Sequence, residues 1–319
     1  MPMIRQVDLE DAYTEFAVPL ISRKGNRRYV CGTGFFIASN ILLTAWHNLE
    51  AHVKVVEPWR NRIEALNGHH TLNFSIAVLQ TVAPGNYIEH LLETVTRSVF
   101  SPDIAIVITA PRDGLKHVQT RKVVVDMLPP TQGSEVKAFG YADSQIVDEL
   151  PEELSDLEIP DGTVLMHQDP IEPSGNVVEV FPTHRPGLAA FPSFEVDVDF
   201  PHGTSGGPVF NDQGYVCGMI SSGVTALSGA DHGIAASLWA VMLDVIITPS
   251  INGGEPFCLR QLADMVISKT NKPYIQTVNL DKLSGSVHHP PVPGDHVALK
   301  MLNNVARLHV PTTEESALQ

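Results

Sequence analysis

Cysteine is scarce in this chain, with only Cys31, Cys217 and Cys258 among 319 residues. Three cysteines cannot build a disulfide framework for a chain of this size, so its stability must come from a packed core. The N-terminus also lacks an apolar stretch and carries acidic residues from Asp8 onward, which is unlike a secretory signal. We therefore expect a cytoplasmic protein.

Basic residues are few, because 21 Lys and Arg stand against 36 Asp and Glu and give a formal net charge of −15. No basic stripe is present to neutralise phosphates, which argues against a nucleic-acid partner. The most apolar late run, residues 238–248, is too short to span a bilayer and contains Asp244. We expect no association with nucleic acid and none with a membrane.

Metal-ligand spacings are lacking as well, although the chain has 14 histidines. The adjacent pairs His69-His70 and His288-His289 have neither the i, i+4 spacing nor the Cys-x-x-Cys spacing of metal sites. The sequence therefore predicts no metal and no cofactor.

Turn-forming residues are abundant, since 24 Pro and 23 Gly separate many short runs rich in Val and Ile. This pattern predicts an all-β fold of short strands. Residues 88–99 fit either a strand or a short helix, whereas residues 238–247 and 258–267 favour C-terminal helices.

Three segments fall outside the strand pattern. Residues 1–12 are polar and predict a lead-in that is loose or forms a short helix. Residues 143–161 contain eight acids and no base, which is typical of a solvated surface insertion. Residues 249–319 form a C-terminal extension beyond the main domain at 13–248.

The stretch Gly203-Thr-Ser-Gly-Gly-Pro208 lies between two apolar alternations. Such a run favours a tight exposed turn, because glycine reaches backbone conformations that other residues avoid. The turn would expose the Ser205 hydroxyl, and the N–H groups of Gly203 and Ser205 could form an oxyanion hole beside it. An ordinary glycine-rich hairpin is the alternative.

A serine hydroxyl is a weak nucleophile and needs a base, which in turn needs an orienting acid. His47 follows the apolar strand predicted at 41–46, and Asp103 precedes the apolar run at 104–109. Each residue taken singly is more often structural. Together with Ser205 they predict a nucleophilic site.

These motifs resemble the trypsin-like (chymotrypsin-fold) serine proteases, especially the bacterial, disulfide-poor members. The resemblance covers about residues 13–248, through Gly32-Thr-Gly-Phe-Phe-Ile, Leu43-Thr-Ala-Trp-His47, Asp103-Ile-Ala-Ile-Val and the turn around Ser205. It implies two six-stranded antiparallel β-barrels, at about 13–115 and 125–248, with the site between them. It also implies that Ser205 is the nucleophile, His47 the general base and Asp103 the group that orients the imidazole.

The resemblance implies a substrate pocket too. Asp199, six residues before the serine, stands where trypsin-like pockets hold the acid that binds Lys or Arg. Ser221, Ser222 and Gly223 resemble one pocket wall and Gly233 the opposite side. The alternative is that Asp199 points away from the pocket, because the cysteines that fix its register in trypsin are missing.

Several positions depart from the family's pattern. Thr204 replaces the aspartate that pairs with a newly cleaved N-terminus in secreted members, so a zymogen switch of that type is not expected. Cys31 fits a position that is disulfide-bonded in animal members, but its partner position is Asn48. We therefore expect Cys31 to be a free thiol.

The sequence thus predicts a regulated intracellular serine endopeptidase that acts on protein or peptide substrates through an acyl-enzyme. One alternative is an α/β-hydrolase, since Gly203-x-Ser205-x-Gly207 fits its nucleophile elbow, but a turn and a strand follow the serine where that fold needs a helix. A second alternative is a protease fold kept as a binding module with a latent or silent site. A regulatory partner could dock through residues 143–161 or 249–319.

Overall fold

The structure is a computed structural model, and its contacts divide the chain into two units, residues 1–278 and 279–319. All described residues belong to the first unit. The structure describes residues 3–6, 12–24, 27–38, 40–50, 53–54, 71–72, 76–83, 86–111, 123–142, 145–147, 165–167, 169–185, 187, 189–225, 231–242, 244–246, 257–259 and 275–278. The predicted insertion at 143–161 lies mostly outside these residues, and so does most of the C-terminal extension.

Strands dominate the described part. Those of the N-terminal half are β1 (Met3–Gln6), β2 (Ala17–Lys24), β3 (Arg27–Ala38), β4 (Ile41–Ala45), β5 (Val53–Lys54), β6 (Thr71–Leu72), β7 (Ile76–Ala83), β8 (Asn86–Arg97) and β9 (Ile104–Pro111). Those of the C-terminal half are β10 (Val123–Asp126), β11 (Glu135–Ala138), β12 (Gly140–Tyr141), β13 (Gln145–Val147), β14 (Leu165–His167), β15 (Pro170–Phe181), β16 (Ser193–Val196), β17 (Pro208–Phe210), β18 (Val216–Thr225), β19 (Asp231–Ser237), β20 (Val245–Ile246), β21 (Phe257–Cys258) and β22 (Ile275–Val278).

Helices are short in the described part of the chain. A 3₁₀ helix covers Ala12–Glu15, α1 covers Trp46–Glu50, and α2 covers Leu238–Val241. None of the described helices is long and apolar enough to cross a membrane.

The first barrel closes in the order β2-β3-β4-β9-β8-β7, with antiparallel neighbours throughout. Its strands are rich in branched residues, which pack well on a pleated surface. All five residues of β4 are buried, as are the residues of β9 from Ile104 to Thr109. Closure removes the exposed sheet edges that would otherwise need protection.

The second barrel closes in the order β11-β15-β16-β19-β18-β17, because β17 pairs with both β11 and β18. Its core contains inward-facing apolar residues of these strands, with Val136, Val177, Phe194, Val209 and Ile220 among its buried members. Outside the ring, β10 pairs in parallel with β18 and β22 in parallel with β10, and β1 adds an antiparallel strand to β15. The two rings confirm the predicted pair of six-stranded antiparallel barrels.

Local predictions at the chain's ends need correction. The lead-in at 1–12 contains β1, whose backbone pairs with Ile171–Ser174 instead of remaining loose. The helix predicted at 238–247 ends at Val241, and a strand follows at 245–246. A helix was predicted at 258–267, but its first residue, Cys258, belongs to the strand β21. Residues 260–267 lie outside the described residues. Residues 88–97 of the ambiguous segment 88–99 belong to the strand β8, which spans the barrel between β7 and β9.

Candidate active site

His47 and Asp103 are brought together by two neighbouring strands. β4 and β9 are paired so that Ala45 lies opposite Ile104, which places the start of α1 beside the residue preceding β9. The Trp46 N–H donates to the backbone carbonyl of Asp103 at 2.7 Å. The side chains meet as well, since His47 Nδ1 lies 2.9 Å from Asp103 Oδ1.

This contact defines the electrostatics of the imidazole. The hydrogen bond to Asp103 raises the pKa of His47 above 6.5, burial opposes that rise, and the charges of Asp103 and Glu50 raise the pKa further. Because the carboxylate accepts a hydrogen from Nδ1, the neutral ring leaves Nε2 as the acceptor. Such a ring is oriented to take a proton at Nε2.

Two consecutive turns present Ser205. In the first, the Thr204 N–H donates to the Pro201 carbonyl at 3.1 Å, and Gly203 takes the third position with φ 91°. In the second, the Gly207 N–H donates to the Thr204 carbonyl at 2.9 Å, and Gly206 has φ 88°. A positive φ at the third position of a turn favours glycine, so the glycines of the motif give Ser205 its corner position.

Ser221 links Ser205 to the acid. Its hydroxyl donates to Asp103 Oδ2, and its carbonyl accepts from Ser205 Oγ at 3.3 Å. Ser221 is 4% exposed, so this link is shielded from bulk water. Within the described part of the structure, no hydrogen bond joins Ser205 Oγ to the His47 ring.

The predicted oxyanion donors are available. Among the described residues, the N–H groups of Gly203 and Ser205 have no hydrogen-bond acceptor, whereas those of Thr204, Gly206 and Gly207 are all used. Unpaired N–H groups at an exposed turn can bind an oxygen that gains negative charge.

The predicted pocket residues fall into two groups. Asp199 is exposed, and its Oδ1 lies 3.1 Å from the point that a Cβ on Gly223 would occupy. Gly233 is instead covered by the ring of Phe200, 2.4 Å from the corresponding Cβ position. Phe200 is 6% exposed, so it fills the space on that side.

A cavity of about 340 Å³ opens beside His47 and Asp103. Its wall includes Ser221 and Ser222, together with residues that sequence reasoning missed: Arg97, Pro102, Ala189, Ala190, Phe191 and Ile234. Asp199, Gly223 and Gly233 do not line it. These missed residues carry no motif; Pro102 reaches the site as the neighbour of Asp103, and the others reach it only through the fold.

Two departures from the family's pattern acquire a structural explanation. The Thr204 hydroxyl donates to the Pro201 carbonyl at 2.7 Å, so the residue that replaces the aspartate closes its own turn. Cys31 is a free thiol, as expected, but its Sγ faces the Leu20 carbonyl. The residue that lies against Asn48 is Gly32, so the register expected for Cys31 was wrong by one position.

Residues 32–219, more than half of the chain, match the trypsin-like peptidase domain. The chain therefore belongs to the trypsin-like peptidase family and is a serine protease. No group of His, Cys, Asp or Glu in the described segments could hold a metal ion.

Several solved structures are similar to this chain. The active form of the Rv3671c protease from M. tuberculosis is 17% identical, with a TM-score of 0.43 over 73% of this chain and 80% of that one. The protease Anisep from Arthrobacter nicotinovorans is 15% identical, with a TM-score of 0.45 over 74% of this chain and 93% of that one. A Glu endopeptidase is 16% identical, with a TM-score of 0.43 over 73% and 91%. A search of curated proteins finds no match.

Proposed function

We propose that the chain is an endopeptidase in which Ser205, His47 and Asp103 form the catalytic triad. The observation that carries this proposal is the chain of contacts from His47 through Asp103 and Ser221 to Ser205. It joins a base in α1, its orienting acid in the residue before β9 and a turn-borne hydroxyl of the second barrel.

The reaction follows from the roles of these groups. Ser205 Oγ attacks the substrate carbonyl while its proton passes to His47 Nε2, and Asp103 stabilises the imidazolium that forms. The N–H groups of Gly203 and Ser205 bind the oxygen that becomes negative. His47 then gives its proton to the leaving amine, which departs and leaves an acyl-enzyme. A water molecule, deprotonated by His47, hydrolyses that ester and releases Ser205.

The hydroxyl has to change its partner for this reaction. In this structure Ser205 Oγ donates to the Ser221 carbonyl, and catalytic hydrogen bonds often tighten only in the substrate complex. We infer that the hydroxyl turns from the Ser221 carbonyl to His47 Nε2 when a peptide fills the adjacent cavity.

Cleavage after Lys or Arg is the specificity we propose. Asp199 supports it, because its carboxylate is exposed beside Gly223 and pairs with no basic side chain among the described residues. A substrate guanidinium or ammonium would find an uncompensated acid there. The cavity beside His47, with Phe191 and Ile234 in its wall, would take an apolar side chain of the same substrate.

We propose that the enzyme acts inside the cell and does not depend on a new N-terminus for activation. The turn before Ser205 is closed locally by Thr204, so no ammonium group is needed to hold it. Regulation would then act through a partner, for which residues 143–161 and 249–319 are the candidate segments.

A fluorophosphonate probe tests the triad without a known substrate. We expect labelling of the wild-type chain, and no labelling of Ser205→Ala with an unchanged melting temperature. Ser134→Ala, which removes a hydroxyl that donates to the Thr131 carbonyl away from the site, is the matched control and should still be labelled. If the wild-type protein resists labelling at every pH and with candidate partners present, the site is silent and the binding-module alternative is favoured.

A further inference from the structure

We propose that Asn48 is a positioning residue that holds the Ser205 turn against the first barrel, an inference that rests on the proposed triad. Asn48 directly follows His47 in α1, and its Nδ2 donates to the Ser205 carbonyl at 2.8 Å. One short segment therefore carries the general base and also contacts the nucleophile's own backbone.

The amide hydrogens of Asn48 are fully used. Asn48 Nδ2 donates its second hydrogen bond to Thr44 Oγ1 at 3.2 Å. The Thr44 hydroxyl in turn donates its own hydrogen to the Thr33 carbonyl. Thr44 Oγ1 must therefore accept from Asn48, which identifies the atom facing both partners as the amide nitrogen. Asn48 is 7% exposed, so loss of its donors leaves acceptors unpaired in a buried place.

Thr33 completes the connection. Its N–H donates to the Ser205 carbonyl at 2.9 Å, and its hydroxyl donates to the Gly203 carbonyl at 2.9 Å. The Ser205 carbonyl thus accepts two hydrogen bonds, one for each lone pair. The Gly203 and Ser205 carbonyls are therefore both held by the first barrel. The Ser205 N–H lies between these two carbonyls in the chain, and the Ser205 side chain is the nucleophile.

Glycine is required where the two barrels approach each other here. A Cβ on Gly32 would lie 2.2 Å from Asn48 Nδ2, and a Cβ on Gly206 would lie 2.1 Å from the Thr33 carbonyl oxygen. A side chain on Gly32 would displace Asn48 within the first barrel, and one on Gly206 would push the turn away from Thr33. Gly32 therefore makes room for the Asn48 amide in the first barrel, and Gly206 lets the turn of the second barrel come close to Thr33.

The expected consequence is kinetic. Asn48 touches neither substrate nor the reacting atoms, but it sets where the Ser205 hydroxyl and N–H lie relative to His47. Misplacement of reacting groups by about 1 Å can cost about 10²-fold in rate. Loss of Asn48 should therefore lower the rate of acylation and leave substrate affinity largely intact.

The test measures fluorophosphonate inactivation of the full chain, separated into a binding constant and a maximal inactivation rate, for Asn48→Asp and Asn48→Ala. Asn48→Asp keeps the shape but removes the donors, and Asn48→Ala removes them without adding a buried charge. Gln80→Glu is the matched control, because the Gln80 amide donates to the Glu15 carbonyl in the same barrel at 3.2 Å and contacts no residue of the site.

We expect both Asn48 variants to lose about 10²-fold in maximal inactivation rate, with the binding constant unchanged and the same circular dichroism spectrum. Gln80→Glu should keep the wild-type rate even if its melting temperature falls. Folded Asn48 variants with the wild-type rate would overturn the inference, since a merely structural role lowers only stability. Failure of the proposed triad is distinguishable, because the wild-type chain would then not be labelled at all.

Discussion

Asp244 offers a quantitative test of how the two barrels are joined. It follows α2 and is 3% exposed. It accepts hydrogen bonds from Ser98 Oγ and from the N–H groups of Val99 and Phe100. That turn leads directly into Asp103, because the Ile104 N–H donates to the Ser101 carbonyl at 2.7 Å. Asp244 thus ties the end of the second barrel to the segment that presents the orienting acid.

Burial raises the pKa of Asp244 from 3.8 to about 6, although the hydrogen bonds from Ser98, Val99 and Phe100 oppose that rise. A carboxyl whose pKa is higher in the folded state binds protons more tightly when folded. It therefore adds stability at low pH, and this contribution is lost as the pH rises towards 6 and above. Integration of the shift gives a loss of about 2 kcal/mol in the free energy of unfolding between pH 4.5 and pH 7.5.

Urea unfolding of the wild-type chain and Asp244→Asn at several pH values measures this term. All other titrations are common to both proteins and cancel in the difference between their free energies of unfolding. That difference should shift by about 2 kcal/mol in favour of the wild type at pH 4.5. Ser98→Ala, which removes a donor to the charged form, should move the transition to higher pH. A difference that stays flat from pH 4.5 to 7.5 would refute a raised pKa at this site.

Two further predictions concern the site itself. The rate of fluorophosphonate labelling should fall on acidification with a midpoint above 6.5, because the hydrogen bond that His47 donates to Asp103 raises the pKa of His47. In Asp103→Asn, the midpoint should move down and the limiting rate should fall by about 10⁴, a value taken over from other enzymes of this family; a retained rate would remove Asp103 from the triad. Separately, a peptide-library profile should show cleavage after Lys and Arg, and Asp199→Asn should weaken that preference while leaving the labelling rate unchanged. A wild-type profile without basic preference would dismiss the role of Asp199.

The parts of the site that the sequence predicts are those with a local cause. Gly203 and Gly206 predict the turn around Ser205, because glycine is the residue that most readily adopts a positive φ. The short motifs that end at His47 and begin at Asp103 are local too, and their resemblance to the trypsin-like proteases implies that the two residues meet. Many short strands with frequent turns predict an all-β fold, and the resemblance to the trypsin-like proteases implies its two closed barrels.

The remaining parts depend on how distant segments meet. Ser221 was predicted as a pocket wall, but the structure also gives it a hydrogen bond to Asp103 across 118 positions of sequence. Phe200 carries no signal that its ring would cover Gly233, because that contact depends on the path of the loop between β16 and β17. The register of Cys31 and Gly32 illustrates the same limit, since a shift of one residue in a strand reverses which side chain faces Asn48.

The catalytic geometry depends on the joint between the barrels more than on either core. His47 and Asp103 belong to the first barrel, whereas Ser205 and Ser221 belong to the second. Neither barrel core alone therefore fixes the distance between His47 and Ser205. Hydrogen bonds that cross the joint include those from Asn48 and Thr33 to the Ser205 turn, from Ser221 to Asp103 and from Ser98 to Asp244. A substitution at these contacts should therefore change the rate of acylation more than its effect on stability suggests, whereas a core substitution should do the reverse.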